Sequence, residues 1–155
     1  MTAASRGIGL AIARTLADAG CDVALCARGE GGLESARKDL ESRGARVFTR
    51  ALDVADGEAL RQFVADAAAE LGGLDFVVHA VAFAQREELD GEFLDTSREG
   101  YRLAQDISSY SLTALARRTA PLMENGGSIV TLSYLGGERV VPHYNVMGVA
   151  KAALE

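Results

Sequence analysis

The sequence predicts an α/β fold in which a doubly wound parallel sheet is covered by helices on both faces. Short apolar segments alternate with amphipathic helical segments along the whole chain. The segment 74–84, LDFVVHAVAFA, is too continuously apolar to have a solvent-facing side, as expected of a strand buried in a parallel sheet. A glycine-containing turn, TAASRGIG at 2–9, leads directly into the first predicted helix. Together these three observations favour a parallel sheet over an antiparallel one.

The first half of the chain begins with that helix. Ile8, Ile12 and Leu16 follow one another at helical spacing, and Gly20 is a typical residue at a helix C-terminus. The later segments alternate between apolar and amphipathic ones. The clearest helix, at 57–71, has an unbroken apolar stripe. We predict a strand, a helix, a strand and a helix at 22–26, 33–42, 45–54 and 57–71.

The second half continues the alternation. A long helix is predicted after the buried strand, because Leu103, Ile107, Tyr110 and Ala114 keep helical spacing, with Pro121 near its end. The remaining predicted elements are the strand before this helix, the strand after it and a final helix, at 74–84, 128–137 and 144–155.

Composition and charge exclude several classes of function. The 155 residues are 48% hydrophobic and 25% charged, which is typical of a globular chain and predicts one domain over 1–155. The net charge of −6 argues against nucleic-acid binding. The sequence has no apolar stretch of 18 residues and no signal-like N-terminus, so we predict neither a membrane span nor a signal peptide. Cys21 and Cys26 are interpreted as reduced thiols in or beside one strand, so we expect a cytoplasmic protein.

The glycine turn is a candidate phosphate site. The backbone N–H groups of Gly7 to Gly9 would point at a ligand above the helix N-terminus, although a plain turn would also require glycine. In dinucleotide-binding folds the second strand usually ends at a ribose-binding acid, whereas the corresponding strand here, after the first helix, ends LCAR with Arg28. Arg28 and Arg6 can both bind a 2′-phosphate, which favours NADPH. The alternatives are that Arg28 is a surface arginine, or that Glu30 binds the ribose.

Tyr144 and Lys151 are candidate catalytic residues. They are seven residues apart, which places them on one face of the last helix. A lysine ammonium there would favour the phenolate and lower the tyrosine pKa from about 10. The alternative is a buried tyrosine with a surface lysine. His79 lies within an apolar strand and is interpreted as a core histidine, and no cluster of residues predicts a metal site.

These motifs resemble those of a known superfamily. TAASRGIG, the LDV of Leu52 to Val54 and YNVMGVAK resemble the short-chain dehydrogenase/reductases, whose glycine motif is TGxxxGIG and whose catalytic pair is Tyr-x3-Lys. The spacing here is six. From about residue 73 onward the chain resembles the bacterial enoyl-acyl-carrier-protein reductases, which use Tyr-x6-Lys, whereas residues 1–72 resemble ordinary short-chain reductases.

The resemblance implies a Rossmann-like, three-layer α/β/α domain that binds NAD(P). The family's first strand and last strands have no counterpart in these residues, so a partial domain over 1–155 is expected. By this resemblance the catalytic residues are Tyr144, Lys151 and Tyr134. The implied cofactor contacts are Ser5, Arg6, Gly7, Ile8, Gly9, Arg28, Asp53, Val54, Ala80, Val81 and Lys151. The implied substrate contacts are Phe83, Leu89, Tyr134, Pro142, Tyr144 and Met147.

The activity implied is NADH- or NADPH-dependent reduction of the trans-2 double bond of an enoyl thioester carried by acyl carrier protein. Ser108 supports this, because it replaces the asparagine of the proton relay in carbonyl-reducing relatives. One alternative is a 3-oxoacyl-acyl-carrier-protein reductase or another short-chain dehydrogenase. A second is a non-catalytic fragment or hybrid that at most binds nucleotide. The resemblance implies a homotetramer for the complete protein. We expect these 155 residues alone to aggregate or to have low activity.

Overall fold

A computed structural model describes all 155 residues, and their contacts divide the chain into two compact units. Unit 1 comprises residues 1–80 and 115–131, and unit 2 comprises residues 81–114 and 132–155. Each unit is described by itself below. The single domain over 1–155 stays a prediction.

Parallel strands and helices alternate as predicted. The helices of unit 1 are α1 (Gly7–Asp18), α2 (Glu30–Glu41) and α3 (Gly57–Leu71). The strands are β1 (Val23–Ala27), β2 (Val47–Ala51), β3 (Phe76–His79) and β4 (Ser128–Thr131). β1 pairs with β2 and β3 pairs with β4, both in parallel. These elements confirm the predicted α/β class.

The first two residues connect the two pairs of strands. The N–H of Cys26 in β1 donates to the carbonyl of Met1 over 3.1 Å, and the N–H of Thr2 donates to the carbonyl of Val78 in β3 over 3.1 Å. Thr2 forms only an isolated parallel bridge, with Cys26. The extended residues 1 and 2 therefore lie between β1 and β3 at the carboxyl ends of these strands, and residues 1–6 form no regular strand.

Helices pack on β1 with small and branched side chains. Ala13 and Ala17 of α1 and Leu33 and Leu40 of α2 form a buried cluster with Leu25. The predicted bounds of α3 are confirmed, because Asp56 accepts two N–H bonds at its start and the left-handed Gly72 ends it.

The predicted strand 74–84 is longer than the observed one. β3 ends at His79, and the N–H of the next residue, Ala80, donates to the hydroxyl of Thr2. β4 is also shorter than predicted, because it ends at Thr131 and the predicted strand extends to residue 137.

The predicted long helix consists of several parts. α4 (Arg98–Gln105) is followed by a π-turn at 106–110, by α5 (Ser111–Thr119) and by a 3₁₀ turn at 120–122. The wider π-turn shifts the helical phase, so Tyr110 is exposed although its spacing predicted a buried position. The last helix, α6, spans Asn145–Leu154. No helix has the length and apolar character needed to cross a bilayer.

The start of α4 in unit 2 is held by a buried carboxylate. Glu88 accepts bonds from the N–H of Ser97 at 3.0 Å and from its hydroxyl at 2.5 Å. The same hydroxyl caps α4 by accepting the N–H of Gly100 at 2.9 Å. A Cβ on Gly100 would meet the Glu88 carboxylate, which would have to move to make room for it.

Candidate active site

The glycine turn in unit 1 leaves the N-terminus of α1 open. Arg6 precedes the helix without a side-chain hydrogen bond to it, and Arg6, Gly7 and Ile8 are all exposed. A Cβ at Gly9 would lie 2.7 Å from the carbonyl oxygen of Ala3, so only glycine permits this close approach. Uncapped N–H groups at a helix N-terminus are suited to bind a phosphate.

Thr2 joins this turn to the end of β3. Its buried hydroxyl accepts the N–H of Ala80 at 3.0 Å, so the turn and a predicted cofactor-binding residue are directly connected. The sequence analysis did not include Thr2 among the site residues. The threonine of the glycine motif was the signal that could have identified it.

The other predicted nucleotide contacts of unit 1 lie at the carboxyl ends of β1 and β2. Arg28 is exposed just after β1. Asp53 follows β2, and its carboxylate accepts the N–H of Ala55 at 3.0 Å, while Val54 is half-buried. Ser5 lies against the start of α2, where a Cβ on Gly32 would be 3.2 Å from the Ser5 Cβ. Their roles toward a cofactor stay predictions.

His79 is a buried residue at the end of β3. Its Nδ1 lies 2.9 Å from the hydroxyl of Thr131 in β4, and its side chain is almost fully buried. The interpretation of His79 as a hydrogen-bonded core histidine is confirmed. No group of three or more His, Cys, Asp or Glu side chains is arranged to hold a metal ion.

In unit 2, Tyr144 immediately precedes α6 and contacts Tyr134. The ring centroids are 4.8 Å apart and the rings are inclined at 61°. Burial raises the pKa of Tyr144, and the neighbouring Tyr134 acts in the same direction. The prediction of a lowered tyrosine pKa is therefore wrong. At neutral pH the Tyr144 phenol keeps its proton and is a hydrogen-bond donor.

Lys151 is buried on α6, so the alternative of a surface lysine is wrong. Its Nζ donates to the carbonyl oxygen of Leu132 over 2.6 Å. Burial lowers the pKa of Lys151, whereas the charge of Glu155 acts in the opposite direction. Glu155 also accepts a hydrogen bond from the hydroxyl of Ser133. The ammonium is thus anchored to the segment that follows β4.

The backbone on both sides of Tyr144 has left-handed geometry. His143 has φ of +59° and Asn145 has φ of +30°. The Asn145 amide donates to the carbonyls of Leu89 and Gly91, both over 3.2 Å. This amide connects the start of α6 to the loop that contains Leu89, a predicted substrate contact. Asn145 was not among the predicted site residues.

Ser108 brings two predicted substrate contacts together. Its fully buried hydroxyl lies 2.9 Å from the backbone N of Phe83, which donates to it, and 3.6 Å from Met147 Sδ. Val81 is half-buried and Pro142 is exposed. The structure therefore groups Phe83 with Met147, Leu89 with the start of α6, and Tyr134 with Tyr144.

A glycine turn that opens a helix N-terminus, parallel strands and a Tyr-x6-Lys pair, with the tyrosine just before α6 and the lysine on it, define a protein of the short-chain dehydrogenase/reductase class. The family model described as enoyl-(acyl carrier protein) reductase matches residues 2–155. The chain belongs to this enoyl-acyl-carrier-protein reductase family, and the match includes the first half as well as the second.

Relatives and solved structures agree with this assignment. The NADH enoyl-acyl-carrier-protein reductase 1 of Rhizobium meliloti (strain 1021) is 44% identical over 97% of this chain and 55% of its own length. The NADPH enzyme FabI of Staphylococcus aureus (strain NCTC 8325) is 43% identical over 97% of this chain and 59% of its own.

The crystal structure of the Bacillus cereus enoyl-acyl-carrier-protein reductase with NADP+ and indole naphthyridinone aligns with a TM-score of 0.90 and 45% identity. That alignment covers 97% of this chain and 59% of the other. The chain thus spans between half and two thirds of the length of these relatives.

Proposed function

We propose that this chain is the cofactor-binding and catalytic part of an enoyl-acyl-carrier-protein reductase. The reaction is reduction of the trans-2 double bond of an enoyl thioester with NADH or NADPH. The observation that carries the proposal is the protonated, half-buried Tyr144, which packs against Tyr134 and immediately precedes α6, the helix that contains the buried Lys151.

Tyr144 stabilises the charge that develops on the substrate. Hydride addition to the β-carbon of an enoyl thioester places negative charge on the thioester carbonyl oxygen. A phenol whose pKa is raised keeps its proton, so it donates a hydrogen bond to that oxygen as the charge appears. Tyr134 packs against the ring and restricts its orientation.

A nicotinamide cofactor supplies the hydride when it is bound. The open N-terminus of α1 and the close packing of Gly9 on Ala3 fit a pyrophosphate. Lys151 carries the donors that suit ribose hydroxyls. The exposed Arg6 and Arg28 favour a 2′-phosphate and hence NADPH, whereas the relatives' names include both NADH and NADPH.

The acyl chain is proposed to contact Phe83, Leu89, Met147 and Pro142. The Ser108 hydroxyl is already engaged with the Phe83 backbone and lies near Met147. This arrangement favours a role of Ser108 in shaping the pocket over one in a proton relay, and therefore favours the enoyl substrate over a 3-oxoacyl substrate.

The substrate class is tested by following NADH and NADPH oxidation with crotonyl and acetoacetyl thioesters. We expect the crotonyl thioester to be reduced in preference to the acetoacetyl thioester. Faster turnover of the acetoacetyl thioester would contradict the proposal.

The role of Tyr144 is tested with Tyr144→Phe and with Tyr110→Phe as a matched control, since Tyr110 is exposed in the same unit. Loss of the oxyanion donor is expected to lower kcat by about 100-fold or more. Nucleotide affinity, measured by fluorescence titration, should stay unchanged. Equal activities of the two variants would exclude Tyr144 as the donor.

The proposal also includes acyl carrier protein as the carrier of the substrate, a cytoplasmic location and a homotetramer. Sedimentation of the chain with and without nucleotide measures the assembly directly.

A further inference from the structure

A short turn packs directly on α6 within unit 2. It is a 3₁₀ turn that spans Leu135–Gly137 and comes immediately after Tyr134. On α6, Gly148 lies between Tyr144 and Lys151 in the Tyr-x6-Lys spacing. The turn and the helix are therefore adjacent in sequence to the two tyrosines of the candidate active site, and the helix contains the lysine.

Gly148 has no local reason to be glycine. Its φ is not positive, and glycine within a helix is less favourable than alanine. Such a glycine often marks the close approach of another part of the chain. Here that part is Gly136, because a Cβ on Gly148 would lie 2.8 Å from the carbonyl oxygen of Gly136. This oxygen belongs to the backbone, so the whole turn would have to move to make room.

Gly136 is the point where the turn meets the aromatic rings. It is buried, and its φ is not positive. A Cβ on Gly136 would collide with the ring of Tyr144 and would lie 3.2 Å from Cδ1 of Tyr134. Both rings therefore border the space that a side chain at position 136 would need.

The contact between this segment and α6 continues toward the lysine. A Cβ on Gly137 would lie 3.2 Å from the backbone N of Ala152 and 3.2 Å from the carbonyl carbon of Lys151. The Lys151 Nζ donates to the carbonyl of Leu132 over 2.6 Å. The contacts on α6 thus recur at intervals of about one turn, so the segment 132–137 follows one face of the helix.

The position of the turn determines how the two tyrosine rings meet. Tyr134 directly precedes the turn, so a turn displaced from α6 would carry Tyr134 with it. The ring centroids of Tyr134 and Tyr144 are 4.8 Å apart. Burial and the neighbouring Tyr134 both raise the pKa of Tyr144, so separation of the rings and entry of water would lower it again.

We propose that Gly148 and Gly136 are positioning residues of the candidate active site. The absence of a side chain at both positions lets the 3₁₀ turn rest on α6, and this contact fixes the orientation in which Tyr144 presents its hydroxyl to the substrate. The two glycines act through the tyrosines and are not themselves donors. The inference rests on the proposed function, because the orientation of Tyr144 affects turnover only if Tyr144 is the donor.

A double-mutant cycle separates positioning from a general loss of structure. Gly148→Ala is introduced into the unaltered chain and into Tyr144→Phe, and kcat and KM are measured with the crotonyl thioester. In the unaltered chain we expect Gly148→Ala to lower kcat by about ten-fold or more with little change in KM, because it misplaces a group that acts in the transition state. In Tyr144→Phe it should lower kcat by less than about two-fold, because that group is already absent.

Titration of the Tyr144 phenol gives a second result that does not depend on activity. Ultraviolet difference spectroscopy follows the ionisation of the tyrosines, and comparison with Tyr144→Phe identifies the contribution of Tyr144. We expect the pKa of Tyr144 in Gly148→Ala to lie below that in the unaltered chain and closer to 10.0, because the ring becomes more accessible to water.

Gly31→Ala is the matched control. Gly31 is also a glycine within a helix, α2, but an added Cβ there would meet open space. This variant should keep the kcat of the unaltered chain and the pKa of Tyr144. Urea denaturation should show a loss of stability for Gly148→Ala and none for Gly31→Ala.

Three results would overturn the inference. The first is an equal fold-loss of kcat on adding Gly148→Ala to either background, which would assign the effect to general structure. The second is an unchanged pKa of Tyr144 in Gly148→Ala. The third is measured by NMR on the unaltered chain, and it decides the matter if circular dichroism shows that Gly148→Ala does not fold. We expect nuclear Overhauser effects between the rings of Tyr134 and Tyr144 and between Gly136 and Gly148, and their absence would contradict the contact.

Failure of the proposed function has a different signature. Equal turnover by the unaltered chain and Tyr144→Phe would contradict the role of Tyr144 as the donor. The pKa of Tyr144 in Gly148→Ala and the nuclear Overhauser effects would still decide whether the two glycines position the ring, since neither measurement requires turnover.

Discussion

Ala3 has a backbone conformation that favours glycine. Its φ is +50°, and its carbonyl packs against Gly9 in the turn before α1. The resemblance places Ala3 where related proteins have the first glycine of the motif. An L-residue in this region costs about 1–2 kcal/mol, so the turn keeps its form at some expense of stability.

Ala3→Gly is expected to raise the free energy of unfolding by about 0.5–1 kcal/mol, because it removes that conformational cost. Urea denaturation measures the change. Ala11→Gly is the matched control, since Ala11 is an exposed residue within α1, and there glycine should lower stability by about 1 kcal/mol. Destabilisation by both substitutions would contradict the left-handed backbone at Ala3.

Lys151 should make stability depend on pH in the alkaline range. Its pKa in the folded protein is lowered by burial from 10.5, so between the two pKa values the unfolded chain binds more protons. The free energy of unfolding therefore rises with pH in this window, as the penalty for burying the ammonium disappears. Tyr144, whose pKa is raised from 10.0, has the opposite effect above pH 10.

Urea denaturation between pH 7 and about 10 tests this sign. Lys151→Met should lack the rise that the unaltered chain shows, and Tyr144→Phe should retain it. Identical pH profiles for the unaltered chain and Lys151→Met would mean that burial does not shift the lysine.

Among the elements, α6 is connected to the loop before α4 by one side chain. The Asn145 amide donates to two carbonyls of that loop, at Leu89 and Gly91. Since Asn145 directly follows Tyr144, the same contact fixes the orientation of the segment that contains the tyrosine.

Asn145→Asp is expected to lower the free energy of unfolding by about 1–3 kcal/mol, because a carboxylate would face two carbonyl oxygens in place of an amide donor. Thermal and urea unfolding both measure this. Asn125→Asp makes the same chemical change at an exposed position and should have little effect. A similar loss in both variants would show that added charge is responsible, not the lost donor.

The sequence predicted regular elements better than the points where they end or change. The bounds of α3 were predicted because its unbroken apolar stripe is a local signal. The end of β3 was not predicted, because the apolar run continues from His79 to Ala84 without a local signal that ends the strand. The π-turn was not predicted either. The spacing of Tyr110 along the sequence is the same whether or not a π-turn rotates its side chain toward solvent.

Candidate site residues could be predicted where a motif defines them. Tyr144 and Lys151 were identified by spacing, but the direction of the tyrosine pKa was wrong, because burial and the neighbouring Tyr134 are set by the fold. Thr2 and Asn145 act through contacts with distant backbone groups, which spacing along the chain does not show.

For the whole molecule, exposed apolar side chains are concentrated in unit 2. Phe93, Leu94, Leu135 and Val140 are large and exposed, and Val140 is fully so. Apolar surface of this kind promotes association between chains.

We therefore expect the chain to self-associate, and the double variant Leu94→Glu/Val140→Glu to be less associated in sedimentation velocity. Gln85→Glu/Thr113→Glu is the control, because it places glutamate at two exposed polar positions of the same unit. If the control disperses the chain equally, net charge and not apolar surface governs association.

The buried Glu88 also constrains how this sequence can diverge. The Glu88 carboxylate occupies the space that a side chain at position 100 would need, and Ser97 bonds to both residues. A side chain at position 100 would require the Glu88 carboxylate to move, and a smaller residue at position 88 would leave the N–H of Ser97 without its acceptor. The three positions are thus coupled, and we expect a substitution at one of them to change the effect of a substitution at another.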